Sequence, residues 1–543
     1  VGLKLNALDL AFLALETQKT PVNVASVSLF RIPPGYQGNY VRDLLGELVK
    51  QPAGRPFNLR LSSTGIGPNL QWIIDRHFDI DYHVRHSALP APGTVDDLMA
   101  LVSRLHSRVM DRERPLWEFH IIEGLQDDRF AVYMKMHHAA IDGMGGIEIL
   151  ESCFSPDAGA RARAPWSGLA KKSKPKPELG LISTVMNTAK QLKRQVEMGQ
   201  DIGKLLLGHG LKGMGLKPAD SPVPFTAPKS LFNVPISGAR KFAARTLSLS
   251  DLKSVGRLAH ATVNDVLLAV CAGALRRYLL EKKALPDRSL IASVPVSVRQ
   301  INRSGNQITY VAAKLATDAD DPVERLVEIG KSTMQAKREV AGVSAMAATT
   351  FAVMAQGLVA VLNRLKISEW LPPPANVTIS NVPGPRKALY FGGAELLSMY
   401  PLSVLIDGQA LNITVMSYRN SVDFGLMACR DSVPDVELIG DYIEHAFLEL
   451  GQAVIALAKD EKQAVKPRQV EAKKKLRQKK IGSKKTIRKK FSAVKPGIKK
   501  KTKAANWVGY WLVWSRRVMA IISISQSCLF KNLKVKCLLR LLN

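Results

Sequence analysis

The sequence predicts an α/β protein of two domains, on three observations. Its 543 residues exceed what one hydrophobic core usually supports. Residues 1–158 mix strand and helix signals, and residues 230–459 do so again. Between them, residues 159–229 are rich in Ala, Lys, Pro and Gly and read as an interdomain linker with a helix around Leu181–Leu207.

In the first unit, alternating Val24–Phe30 reads as a strand and Val95–Val109 as a helix. Leu116–Glu123 and Phe130–Met136 form a predicted antiparallel hairpin across the Gly124–Asp128 loop. Centring its turn on Gln126 sets Arg114 opposite His138 and Pro115 opposite His137, to within about two residues. In the second unit a helix is expected at Asn264–Glu281, a strand at Leu290–Val296 and a hairpin over Leu411–Cys429.

Two tails follow. The net charge of +31 points to nucleic acid until it is located. Residues 461–503 hold 19 Lys and Arg against Glu461 and Glu471, residues 504–543 add six bases, and the first 460 residues carry only +8. The run at 460–503 cannot bury a core and is expected to be disordered. The apolar and basic segment 504–543 falls below transmembrane length, because Arg516 and Arg517 split it, and reads as an interfacial anchor or a translational read-through. Five scattered cysteines without metal-ligand spacing fit a reducing compartment. Asp9 and Glu16 interrupt the apolar pattern near the N-terminus, which shows no secretion signal.

The chemistry concentrates in HHAAIDG, His137–Gly143. Alternation along Phe130–Met136 puts Phe130, Val132, Met134 and Met136 on one face and Ala131, Tyr133 and Lys135 on the other. His138 continues the apolar face, and His137 sits with Lys135 on the more polar side. A glycine-rich turn from Asp142 to Gly146 then leads into a short helix at Ile147–Cys153. A neutral imidazole, with an unperturbed pKa of about 6.5, can take a proton from an attacking hydroxyl near neutral pH. Asp142, four residues on, can orient the ring or hold an arginine that braces the loop. Gly208, Gly210 and Gly213 spell GxGxxG, but no strand precedes them and Asn233 stands where an acid is needed, so a dinucleotide site is disfavoured.

HHAAIDG, with RPLWEFHIIEGL before it and LNALDLAFLALET near the N-terminus, resembles the bacterial wax ester synthase/diacylglycerol acyltransferases. Further blocks extend the resemblance to about residues 3–455: PKSLFNVPISGARKFA, TVNDVLLAVCAGALRRYL, SVPVSVR, SNVPGP and VDFGLMACRDSVPD. It implies two chloramphenicol-acetyltransferase-like domains, each a mixed, mostly antiparallel sheet with flanking helices, and an active-site tunnel at their interface. It also implies transfer of a fatty acyl group from acyl-CoA to a long-chain alcohol or diacylglycerol, with His138 as general base, Asp142 in support and His137 as a further member of the motif.

By the same resemblance Asn264 lies near the reacting carbonyl, where its amide can donate to an oxyanion; the competing reading is a helix cap. Gly143, Pro115, Trp117 and Asn381 are the expected substrate-lining residues, with Trp117 alternatively a packed core aromatic. The DFG at Asp423–Gly425 is read as structural. No cofactor is expected, acyl-CoA being a substrate. The expected location is cytoplasmic, peripheral on the inner membrane face or on lipid inclusions. The rivals are a carrier-protein-dependent, condensation-type enzyme and a non-catalytic lipid-droplet coat.

Overall fold

The computed structural model describes residues 2–460 except 6, 68, 142, 169–221, 223–224, 298–307 and 342–370. Asp142, the expected Leu181–Leu207 helix, the GxGxxG glycines and both C-terminal tails lie outside the described residues.

In chain order the strands of the first half are β1 (Leu3–Lys4), β2 (Asn23–Arg31), β3 (Leu59–Leu61), β4 (Gln71–Ile74), β5 (Val84–Ala88), β6 (Trp117–Leu125) and β7 (Arg129–His137). The second half adds β8 (Arg240–Ser248), β9 (Ile291–Ser297), β10 (Ile308–Lys314), β11 (Val377–Val382), β12 (Tyr390–Phe391), β13 (Ala394–Leu402), β14 (Leu411–Tyr418) and β15 (Ser421–Cys429). The helices are α1 (Ala7–Leu15), α2 (Tyr40–Leu48), α3 (Ile80–His83), α4 (Val95–His106), α5 (Gly143–Cys153), α6 (Leu249–Leu258), α7 (Val263–Glu281), α8 (Pro322–Ala341) and α9 (residues 436–460).

Among the described residues the strands build two mixed six-stranded sheets, ordered β12-β13-β2-β7-β6-β5 and β10-β9-β11-β14-β15-β8, and a small one, β1-β4-β3. The α/β class and the mostly antiparallel pairing agree with the expectation. The separation of the halves at residue 230 does not carry over to the sheets, because β12 and β13 cross back and β13 pairs antiparallel with β2. Such a pairing joins segments hundreds of residues apart, and no local pattern encodes it.

The first sheet buries both faces. Phe30, Phe119, Phe130, Val132, Met134 and Met136 pack into one apolar cluster, while Val27, Leu29, Ala131 and Tyr133 meet Leu98, Met99 and Val102 of α4 in another. The side holding Lys135 and His137 is therefore not a solvent face, and both side chains are fully buried. Lys135 is accommodated because its Nζ donates to Leu105 O and Arg108 O at the C-terminal end of α4 and pairs with Glu118 at 3.0 Å. A cation there also meets the negative end of the helix dipole.

Helix α4 joins the two large sheets. Ser103 and Ser107 lie one turn apart on the same face of the helix end, and their hydroxyls accept the Phe242 and Arg240 backbone N–H groups at 3.0 and 2.9 Å. Both donors belong to β8, the edge strand of the second sheet. The serines thus satisfy an edge that would otherwise be open to another chain.

The DFG segment works at the other crossing. Asp423 is fully buried and accepts from Met399 N of β13 at 2.8 Å and from Thr246 Oγ1 at 2.9 Å. Burial pushes its carboxyl up to about 6, against which these hydrogen bonds favour the ionised form. A structural role for DFG agrees with this geometry.

The β6–β7 hairpin forms as predicted, with its register moved by one residue. Trp117 pairs with Met136 and Glu118 with Lys135: the turn, closed by Leu125 opposite Arg129, centres on Asp127 rather than Gln126, and an extra β6 residue between Ile122 and Leu125 takes back half of that offset. Helix α5 begins at Gly143, four residues earlier than expected. Glycine costs about 1 kcal/mol in a helix interior, so the sequence assigns Gly143, Gly145 and Gly146 to a turn. They occupy the first helical turn, directly after the histidine strand.

Candidate active site

Strand β7 ends at His137, and the HHAA backbone tightens at once. His137 N donates to Leu116 O at 3.0 Å, His138 N to Val22 O at 2.9 Å, and Ala140 N to His137 O at 2.9 Å. The two histidines are thereby fixed between the start of β6 and the entry to β2. They sit in different surroundings.

His137 is fully buried. Its Nδ1 accepts the Ala139 backbone N–H at 3.0 Å, which places the ring proton on Nε2. Nε2 points to Glu16 Oε1 at 3.3 Å, a separation wide for an ideal hydrogen bond and close enough for an electrostatic contact. Glu16, at the end of α1, is fastened in turn by Arg112, whose Nε and terminal nitrogen reach Oε2 at 3.3 and 3.1 Å, and by Val22 N at 3.3 Å. Burial raises the Glu16 pKa, but the contacts with His137, Val22 and Arg112 outweigh it and hold the carboxyl below its ordinary value.

His138 has the more open position. It is partly exposed, its Nδ1 is buried, and its ring stacks on Phe12 of α1 with centroids 4.1 Å apart and planes at 28°. The apolar face of α1 packs with Leu116 and Ala139 in a local cluster of its own. One helix thus supplies both the carboxylate behind His137 and the aromatic plate beside His138. The sequence reading missed both Glu16 and Phe12.

The remaining candidates divide. Pro115 is buried just ahead of β6, beside Leu116, whose carbonyl accepts the His137 N–H at 3.0 Å. Trp117 has a packing role in the structure, the alternative that the sequence also offered for it. Its Nε1 donates to Phe57 O at 2.7 Å, and its ring stacks on His83 at 4.4 Å and Trp166 at 5.8 Å, inside the aromatic core. Its strand position puts it on the Met136 face, and the hydrogen bond to Phe57 ties it there.

Asn264 is not the cap of α7. Thr262 caps that helix and forms a reciprocal pair with Asp265, which leaves the Asn264 amide to other contacts. Asn381 Nδ2 donates to Asn264 Oδ1 at 3.5 Å, so two residues predicted separately, 117 positions apart, are brought together. Their neighbour Val382 packs in the same apolar cluster as Met136 and Ile141 of the histidine segment. Gly143 opens α5, where backbone N–H groups lack intrahelical partners.

A model of the wax ester synthase/diacylglycerol acyltransferase catalytic domain matches residues 5–267, and a model of the C-terminal domain of the same family matches residues 304–451. The chain belongs to this family. The O-acyltransferase WSD of Acinetobacter baylyi is 37% identical over 469 residues, 85% of this chain and 99% of that protein. A Mycobacterium tuberculosis relative named as a diacylglycerol O-acyltransferase is 40% identical over 452 residues, 82% of this chain and 98% of its own length. Among solved structures, the family member from Marinobacter aquaeolei VT8 superposes with a TM-score of 0.65 at 34% identity, covering 83% of this chain and 99% of that one. The first condensation domain of the CDA synthetase, at 14% identity and a TM-score of 0.50 over 84% of this chain and 97% of that one, shares the fold.

For this family member, the contacts of Glu16 with His137 and the partly exposed Arg112 suggest a specific test. Replacing Glu16 by Ala takes the anion from both Arg112 and His137, and removing one partner from a buried charge pair costs about 3–5 kcal/mol. A fall of that order in unfolding free energy is expected by denaturant titration. A change within experimental error would show that the trio contributes nothing to holding the histidine segment.

Proposed function

We propose that the protein moves a fatty acyl group from acyl-CoA to a long-chain alcohol or diacylglycerol, giving wax esters and triacylglycerols. The observation that carries the reading is the match of both family models, in order, over residues 5–267 and 304–451. In this mechanism His138 takes the proton of the acceptor hydroxyl through Nε2, its Nδ1 being the buried nitrogen. The oxygen attacks the thioester carbonyl, and CoA leaves as the thiol. Asn264, held beside Asn381, donates to the developing oxyanion, and the Gly143 backbone and Pro115 help to line the reacting centre. His137 is a positioning residue, locked by Glu16. Asp142 supports the segment.

As written, the reaction needs no cofactor, acyl-CoA being a substrate. A peripheral location on the inner membrane face or on lipid inclusions suits water-insoluble acceptors, and the basic run at 461–503 supplies charge for an anionic surface. Among the described residues no single helix is long and apolar enough to cross a membrane.

The test is competition between diacylglycerol and hexadecanol for radiolabelled palmitoyl-CoA, with products separated by thin-layer chromatography. Labelled wax ester, triacylglycerol or both are expected. Failure to form either, with turnover from a palmitoyl-carrier protein instead, would transfer the assignment to the condensation-type reading.

A further inference from the structure

Just ahead of β6 and in β5 stand two arginines, Arg114 and Arg85, that the proposed mechanism does not use. Tyr82, at α3, carries two guanidinium groups on its ring: Arg114 with its central carbon 4.1 Å from the centroid and Arg85 at 5.6 Å. Arg85 also donates to Tyr82 O through Nε and a terminal nitrogen at 3.3 and 3.2 Å. No ion pair involves either guanidinium among the described residues.

The carboxylates that bear on Tyr82 are Asp111 and Glu118. Glu118 is committed to Lys135 and His120 at 3.0 and 3.4 Å, and its carboxyl is brought down to about 2: burial raises it, and the His120 and Lys135 contacts more than reverse that. Asp111 accepts the Glu113 N–H at 2.9 Å. Two like charges on one ring repel each other, and stacking repays only part of that unless an anion joins them.

Their location gives the anion a meaning. Arg114 lies two residues before Leu116, whose carbonyl accepts the His137 backbone N–H at 3.0 Å. Tyr82 is followed by His83, whose Nδ1 contacts Trp117 O at 2.8 Å, so α3 is fastened to the same strand end. All three side chains of the Arg85–Tyr82–Arg114 group are partly exposed. The planar fork of an arginine matches phosphate oxygens two at a time, and a stacked guanidinium keeps its N–H edge free for them.

We propose that Arg114 and Arg85, held on the Tyr82 ring, form a phosphate-binding site that anchors the nucleotide end of the acyl-CoA donor. This rests on the acyl-CoA reading above. The pantetheine arm then spans from this rim to the thioester at His138. Phosphate is also the anion of lipid headgroups, so the test must separate the two sources.

Steady-state kinetics of the full chain, with hexadecanol in neutral detergent micelles, remove headgroup phosphate from the system. Palmitoyl-CoA is compared with palmitoyl-N-acetylcysteamine, which has the same thioester and no phosphate. For Arg114→Ala and Arg85→Ala we expect KM for palmitoyl-CoA to rise roughly tenfold each, the scale of one lost charge-assisted hydrogen bond. KM for the truncated donor and kcat with either donor should hold, which also shows that the variants fold. Arg114→Lys should recover part of the loss, keeping the charge without the fork.

An unchanged KM for palmitoyl-CoA, or an equal loss with both donors, overturns the proposal. A wild-type enzyme inactive with palmitoyl-CoA but active with the truncated donor would instead overturn the donor reading on which it rests.

Discussion

His138→Ala should reduce acyl transfer by about 10²-fold or more, the scale of losing a positioned general base. The geometry makes the experiment discriminating. His138 lies just past β7, partly exposed and stacked on Phe12, whereas His137 is buried and tied to Ala139 and Glu16. Removing the His138 ring leaves the backbone bond from His138 N to Val22 O in place, so the fold should survive. Kinetics on purified protein, with a denaturation curve alongside, check both halves of the expectation. A variant that keeps near-normal kcat would exclude His138 as the base. His137→Ala should behave differently, losing stability as well as turnover, because it vacates a fully buried position and strips the Glu16 carboxylate of a partner.

The difference between the two histidines also shows how far the sequence could be read. Alternation along Phe130–Met136 is a local signal, and it separates the two faces of β7, but the strand ends at His137 and the alternation does not reach His138. The nature of those faces was not local. Lys135 reads as polar and therefore exposed, but its burial depends on the carbonyls of Leu105 and Arg108, from another element. Glu16 was visible only as an acid interrupting an apolar stretch near the N-terminus. An unexplained acid at the end of an apolar helix was the available signal for a buried partner, and only the fold could say that the partner was His137.

The same limit applies to tertiary joins. Helix α7 was legible from its apolar run, but its cap was assigned to Asn264, whereas Thr262 holds that place in a reciprocal pair with Asp265. The hairpin was legible too, but its register slipped by one, because its turn centres on Asp127 rather than Gln126 and a bulge that no composition signal marks offsets only half of that shift. The crossing of β13 into the first sheet left only the DFG triplet as its trace. That triplet has a packing reason for each end: Asp423 accepts the Met399 N–H, and Gly425 lets the β13 backbone approach.

Gly425→Ala is therefore expected to be among the most destabilising single substitutions in the described fold. A Cβ on Gly425 would stand 1.9 Å from Pro401 O and 3.2 Å from Phe242 Cε2, and the first of these is a backbone atom that cannot rotate away. Relief requires β13 to move off β15. Since β13 is paired along its length with β2, the displacement would reach the first sheet as well. Overpacking of this kind costs about 3 kcal/mol or more. Gly330→Ala supplies the contrast, because a Cβ at that position in α8 meets no heavy atom within 4 Å. There the better helix propensity of alanine should stabilise the protein by about 0.5–1 kcal/mol. Denaturant midpoints of the two variants should move in opposite directions from wild type. Equal midpoints would mean that the β13 crossing tolerates separation at this point, and that the DFG glycine is not what holds the two sheets in register.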